Sequence, residues 1–340
     1  MPVILFRAWL VSCALLAAGC HGGAADDAGT DTGSETGIDT TWDGGPLVPC
    51  EGDPPEGMVC VPGGTYLMGC VPYDIYCEED ELPLVEVNLS PFWVDVHETT
   101  YEELLQFLNT LKDGYVRTEY TIRVDEDPPC DVIWENYTAV GLSDEDDYYW
   151  NHQGCNPGIK AAAGGLSQLG AAMYCEWRGK RLPTEAQWEA AARGQTQLIY
   201  PCSSQHLGCW HGNYGCGLLE MQAECYWDEG CCLPVSTGET SDCASQWGAV
   251  QMCGNAAEWV LDRKDEINDG HGWCADGCTD PEPTVGEFPI YKGGGTMSSL
   301  WETRISAQGI LGYHSGTQVD RDTGVRCVLP FSDRAEGNAG

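Results

Sequence analysis

Apolar and polar positions change their period several times along this chain. From Met58 to Cys70 the run MVCVPGGTYLMGC holds two short apolar stretches split by Gly63-Gly64. That pattern predicts a strand, a tight turn and a second strand. From Val85 to Glu98 the residues alternate: Val85, Val87 and Leu89, then Phe92, Val94 and Val96. This predicts a half-buried, hairpin-like pair of strands broken at Pro91. The period then becomes helical. Thr100 and Glu103 have capping-box spacing, Tyr101, Leu104, Leu105 and Leu108 form one apolar stripe, and Gly114 supplies the stop. A second helix is expected from Ser167 to Gly179, with Leu169, Ala172, Met173 and Trp177 as its apolar members. A third is expected over Glu185–Arg193, capped by Thr184, boxed by Gln187 and ended by Gly194. Residues 195–300 carry few long periodic runs and are rich in Gly, Trp and Cys, and Thr323–Phe331 reads as a terminal strand. There is no internal repeat. The prediction is one α+β domain over residues 50–331 with little regular secondary structure, followed by a frayed tail at 332–340.

The first 49 residues obey neither period. Arg7 precedes a short apolar run, Ala8–Ala18, too short to span a bilayer, and the run ends Ala17-Ala18-Gly19-Cys20. Residues 1–20 therefore read as an export signal whose end resembles a bacterial lipobox, with Ala17 where Leu is usual. Cys20 is the candidate lipidation site. Residues 21–49 are mainly Gly, Asp, Thr and Ser, a composition that predicts a disordered acidic tether. The expected location is the bacterial cell envelope, held to a membrane (outer membrane or cell surface) through the N-terminal lipid, or outside the cell.

Charge narrows the partners. The 340 residues carry a formal charge of -37. A polyanion of this kind gains nothing from nucleic acid, whose binding depends on Lys and Arg displacing counterions. Divalent cations, basic partners and a protein or peptide ligand remain compatible with it. Of the 20 cysteines, Cys13 and Cys20 fall in the leader, leaving 18 scattered from Cys50 to Cys327. An even number in an exported chain without CxxC pairs predicts a disulfide framework rather than zinc, and its connectivity stays open.

Several blocks together resemble one family. GGTYLMGC is similar to its opening motif, and ELPLVEVNLSPFWVDVHETTYEELLQFLN to its second block. AAMYCEWRGKRLPTEAQWEAAARG is the strongest match, followed by WGAVQMCGNAAEWVLD, KGGGTM and GVRCV, in the family's order. On these motifs the chain resembles the formylglycine-generating enzyme, or sulfatase-modifying factor, family. The resemblance implies a compact α+β fold related to the C-type lectin fold. Within the strongest block, Glu185, Glu189 and Arg193 have the spacing of charge pairs on a helix surface. The resemblance also implies calcium on the GNAAEW loop, carried here by Gln251, Gly254, Ala256 and Glu258, with Gln251 in place of the family's Asn. A second family calcium site would fall at Asn213 and Tyr214, with Asp228 as partner.

One part of the pattern is missing. Active relatives oxidise a substrate cysteine to formylglycine with oxygen and a copper(I) ion held by two thiolates after the R-G-G-S block, thiolate being the donor copper(I) prefers. Here that segment is KGGGTMSSLWETRISAQG, and no cysteine lies between Cys278 and Cys327. Copper is therefore not expected. The leading expectation is a lipid-anchored binding or structural module. Its rivals are an oxidoreductase with relocated ligands and a metal-independent tailoring enzyme of the same family. For that last reading Glu302, Arg304 and His314 are the candidate acid–base groups. Its bland counterpart makes Glu302 and Arg304 a surface pair and His314 a loop residue.

Overall fold

The computed structural model describes residues 40–110, 160–203, 244–265, 270–274, 277–281, 286–296, 298–310 and 323–331. Among these residues are ten short strands, three α-helices and three 3-10 turns. Strands β1 (Met58–Val61), β4 (Phe92–Asp95) and β10 (Val328–Pro330) form one sheet in the order β1-β4-β10. A second sheet runs β2-β3-β6 (Gly64–Met68, Val85–Leu89, Cys278–Thr279). The third runs β8-β7-β5-β9 (Gly309–Ile310, Phe288–Lys292, Ala257–Lys264, Thr323–Gly324).

The strands predicted from alternation are present, but their pairing differs. β1 and β2 do not form a hairpin across Gly63-Gly64, and β3 and β4 do not form one across Pro91. Instead β1 pairs with β4 and β2 with β3, both antiparallel. The two links cross between the sheets at one place. A Cβ on Gly63 would stand 2.7 Å from Cδ of Pro91, so the crossing needs a residue without one. The expected terminal strand is likewise divided: β9 joins the third sheet and β10 the first. Pro330 sits on β10, an edge strand, where its missing N–H is tolerated.

The helices lie close to their predicted bounds: α1 at Tyr101–Thr110, α2 at Gln168–Trp177 and α3 at Glu185–Arg193. Thr184 and Gln187 form the predicted capping box on α3, and Gly194 follows it at φ 66. On α1, Tyr101, Leu104 and Phe107 are buried, whereas the side chains of Leu105 and Leu108, and Gly114, lie outside the described residues. On α2 the buried face differs from the predicted one. Ala171, Tyr174 and Cys175 point inward, while Leu169 and Trp177 are exposed. Two contacts turn the helix this way: Cys175 is bridged to Cys327, and the Tyr174 ring meets Phe107 edge-on at 5.8 Å.

Two apolar clusters carry the core. One joins the first two sheets to α3 through Phe92, Val87, Met68 and Trp188. The other packs α1 and α2 on Trp259 and Cys327. Disulfides link Cys50–Cys60, Cys70–Cys77, Cys175–Cys327 and Cys274–Cys278. The expected framework is therefore present in part, and the other predicted members, except Cys202 and Cys253, lie outside the described residues. The acidic segment enters this fold earlier than its composition suggests. Thr41 bridges Thr196 and Val48 bridges Gly63, so residues 40–49 are laid against the domain by backbone pairing. Among the described residues no helix is long and apolar enough to cross a membrane.

Candidate functional site

The segment that would carry the oxidase chemistry begins at Lys292, the last residue of β7. Lys292 is fully buried and donates to Glu185 Oε1 at 3.1 Å, Glu189 Oε1 at 2.8 Å and the Ser306 carbonyl at 3.0 Å. The chain then turns through Gly293 and Gly294, both at positive φ. A Cβ at Gly293 would lie 3.0 Å from the Trp188 ring, so both the turn and the close approach call for glycine. A 3-10 turn follows at Leu300–Thr303, with Ser299 and Glu302 forming a capping box.

The candidate acid–base groups are now placed. Glu302 is exposed, but its carboxylate accepts from the backbone N–H and the hydroxyl of Ser299. Arg304 points inward and is buried. Its Nη1 donates to Asp74 Oδ2 at 2.8 Å and Glu81 Oε2 at 2.7 Å, its Nη2 to Glu81 Oε1 at 2.6 Å, and its Nε to the Trp301 carbonyl at 2.7 Å. Glu302 and Arg304 therefore do not form the surface pair of the bland reading. Arg304 needs two carboxylates because a buried cation without partners is far too costly. Its neighbours raise its pKa against the lowering effect of burial, so it stays charged. Sequence reasoning missed Asp74 and Glu81. Glu81 falls in the acidic run EEDELP, where nothing distinguishes it from the outward Glu78 and Glu79, and Asp74 stands alone before that run. His314 lies outside the described residues.

Among the described residues Cys253 is the one unbridged cysteine. It is buried beside Tyr200, Ile199 and Leu300, on the inner side of the 3-10 turn. Burial pushes its thiol up to about 12, although a hydrogen bond with Thr303 works the other way. A thiol in that state is neither a ready nucleophile nor a ready metal ligand.

The loop proposed for calcium lies directly against this segment, with Gly254 N–H donating to the Gly293 carbonyl at 2.8 Å. Gln251, Gly254 and Asn255 all have positive φ, which coils the chain tightly before β5. Gln251, Gly254, Ala256 and Glu258 are all buried there. Glu258, on β5, accepts from Trp188 Nε1 at 2.6 Å and from Arg326 Nη2 at 2.7 Å, with Arg326 Nε shared between its two oxygens at 3.0 and 3.1 Å. The donor set thus offers neutral oxygens and one carboxylate already neutralised by a guanidinium. That is a poor fit for a hard divalent cation, which favours uncommitted carboxylate oxygens. Glu98 stands at the same place, accepting from Asn255 Nδ2 at 2.7 Å and from Ala256 N–H at 2.9 Å. Burial and the nearby Glu258 charge push Glu98 up to about 8. Glu98, Asn255 and Arg326 were not singled out by sequence reasoning. The HETT and GVRCV blocks contained two of them, without any sign that they converge. Asn213, Tyr214 and Asp228 lie outside the described residues.

A third polar cluster sits beneath both loops. Glu185, Glu189 and His271 bring ligand atoms within 4.8 Å of one another. The Lys292 ammonium contacts both carboxylates, which supplies the charge a metal ion would otherwise provide. Burial would lower the His271 pKa, but Glu185 beside it raises it. Glu189 also pairs with Arg193 at 3.4 Å. The charges of α3 therefore pair inside the protein, not on a helix surface as their spacing suggested, because α3 is buried along its whole length.

Comparison with known proteins agrees with this architecture. The model of the sulfatase-modifying factor enzyme 1-like domain matches residues 47–330. The serine/threonine-protein kinase pkn1 of Chlamydia pneumoniae is 27% identical over 246 residues, covering 70% of this chain, and the chain spans only 32% of that protein's length. The formylglycine-generating enzyme of Thermomonospora curvata is 28% identical over 61% of this chain and 71% of its own. The inactive C-alpha-formylglycine-generating enzyme 2 of Bos taurus is 31% identical over 46% of this chain and 57% of its own. Among solved structures, PvdO from Pseudomonas aeruginosa superposes with a TM-score of 0.56 at 17% identity, covering 80% of this chain and 94% of its own. Treponema denticola variable protein 1 gives 0.54, also at 17%, over the same shares. These two show the fold alone. With its motifs in order and its domain matched nearly end to end, the chain belongs to the sulfatase-modifying factor enzyme 1-like family.

Proposed function

We propose that this protein is an exported, lipid-anchored member of the family that acts as a binding or structural module and not as a copper oxidase. The observation that carries the reading is the makeup of the segment from Lys292 to Gly309. It contains no cysteine, and its polar side chains hold the segment in place: Lys292 and Arg304 bind buried carboxylates, and Glu302 caps a turn. Copper(I) in this chemistry needs two soft donors, and hydroxyls such as those of Ser298 and Ser299 are hard. The one unbridged thiol among the described residues, Cys253, is single, buried and held protonated. The similarity to a relative named as inactive supports the same reading.

The test is mass spectrometry of a Cys-x-Pro-x-Arg peptide incubated with the protein, copper(I), oxygen and reductant. The expected result is an unchanged peptide. Conversion of its thiol to an aldehyde would overturn the proposal and establish an oxidoreductase with ligands drawn from elsewhere in the fold. The anchor has its own test. A Cys20→Ser change should release the protein from the membrane fraction, and an unaltered partition would remove the anchor from the proposal.

A further inference from the structure

Two loops joined through Arg304 carry large apolar side chains that are not buried in the core. The Cys70–Cys77 disulfide closes a small loop in which Ile75 is 84% exposed and Tyr76 53%. Trp301, on the neighbouring 3-10 turn, is 48% exposed. Large apolar side chains gathered on neighbouring loops are the usual mark of an interaction surface. Polar contacts tie these two loops together. Asp74, inside the disulfide loop, accepts from the Tyr76 N–H at 2.9 Å and from Arg304 at 2.8 Å. The same Arg304 guanidinium donates to the carbonyl of Trp301. One buried cation therefore bonds to both loops, to the Asp74 side chain beside Ile75 and to the backbone of Trp301.

Charge around this surface selects the partner. Residues 70–84 contain no Lys or Arg, and in residues 293–310 Arg304 is the single basic residue, buried and neutralised by Asp74 and Glu81. Glu78 and Glu79 flank the first loop at the surface, and Glu302 flanks Trp301. Within the described residues of these two segments, large exposed apolar groups thus stand with acidic ones and without an exposed cation. Aromatic and aliphatic anchors supply contact area, and the rim adds attraction for positive charge and repulsion for negative. An indole ring is also a favoured seat for a cation.

We propose that Ile75, Tyr76 and Trp301 form a docking surface for a cationic peptide segment, with Lys or Arg residues interleaved with apolar side chains, in a protein partner. This rests on the binding-module reading above and names its surface. The probe is a set of fluorescein-labelled 12-residue peptides with Lys or Arg at alternate positions and Leu, Tyr or Trp between them. A matched set has Glu in place of the bases. Anisotropy with the full mature protein should show saturable binding of the basic set alone, weakened at least tenfold between 50 and 500 mM salt. The Ile75→Ser/Trp301→Ser variant, altered only at exposed side chains, should bind at least tenfold more weakly while keeping the wild-type Tm. Glu78→Gln/Glu79→Gln should weaken binding several-fold and flatten its salt dependence. Unchanged binding in the Ile75/Trp301 variant, equal binding of the acidic set, or no binding of any basic peptide would each overturn the proposal. Those outcomes leave the oxidase assay untouched. Aldehyde formation in that assay would sink the module reading even if the peptides bind.

Discussion

Glu98 shows how far one side chain can depart from its ordinary behaviour. It is buried beside the Glu258 charge, and Arg326, Asn255 and the Ala256 N–H compensate it only in part, so its pKa rises from 4.5 to about 8. The consequence for stability has a definite sign. Below pH 4.5 the carboxyl is protonated in both folded and unfolded states. Between pH 4.5 and 8 the unfolded chain releases a proton that the folded protein keeps, so stability falls as pH rises through this window and levels off above it. A Glu98→Gln variant, whose amide does not titrate, should lose this component. Its melting temperature should decline less between pH 5 and pH 8 than that of the wild type, as read by thermal unfolding in matched buffers. Parallel profiles for the two proteins would show that Glu98 is already ionised at low pH. Arg326 sets the other half of this balance. It bonds to both oxygens of Glu258 and to the carbonyls of Asp95, Val96 and Val250, tying the end of β4, the GNAAEW loop and the C-terminal block to one group.

At the scale of an element, α3 is the part of the fold most legible in the chain, because its signals are local. Thr184 and Gln187 satisfy each other's backbone N–H groups at 3.2 and 3.1 Å, and Gly194 ends the helix. Thr184→Ala removes one acceptor and strands a buried N–H. It should cost about 1 kcal/mol, measured by urea denaturation. Thr184→Ser should recover most of that loss, and an Ala variant as stable as wild type would mean that the cap contributes nothing. The inward role of Glu185 and Glu189 was not legible. An i, i+4 spacing of charges looks the same on an exposed helix as on a buried one. Here three separate segments converge to supply Lys292, His271 and Gln308 as partners. The strands tell a similar story. Alternation located β1 to β4 but not their partners, because the glycine–glycine and proline links read as hairpin turns and instead cross between sheets.

At the scale of the whole molecule, the ten short strands among the described residues, in three small sheets, supply few ladder hydrogen bonds, and the described loops between them must be held some other way. Disulfides and buried ion pairs do much of this. The Cys175–Cys327 bridge has the widest reach among the described residues, spanning 152 positions and joining α2 to the C-terminal strand region. In the loop-closure treatment a bridge of that span stabilises by about 5 kcal/mol. The double variant Cys175→Ala/Cys327→Ala should lower the urea midpoint by a corresponding amount. A shift under 1 kcal/mol would show that the unfolded chain is already constrained by its other bridges. The same organisation explains the candidate site. The polar groups Lys292, Arg304 and Glu81 are spent on holding the loops near Lys292 together, and Ile75, Tyr76 and Trp301 are among the groups left exposed.

The chain by itself determined everything that depends on neighbours in sequence. The helices, their caps, the positions of most strands and the blocks that carry the family likeness are of this kind, as is the lack of sulfur donors after KGGG. Only the tertiary structure decided which strands pair, which face of α2 is buried, and which acids answer which bases. Glu258 meets Arg326 across 68 residues and Arg304 meets Glu81 across 223. The physical reason is that a buried charge selects a partner by proximity in space, and proximity across such distances is a property of the folded whole.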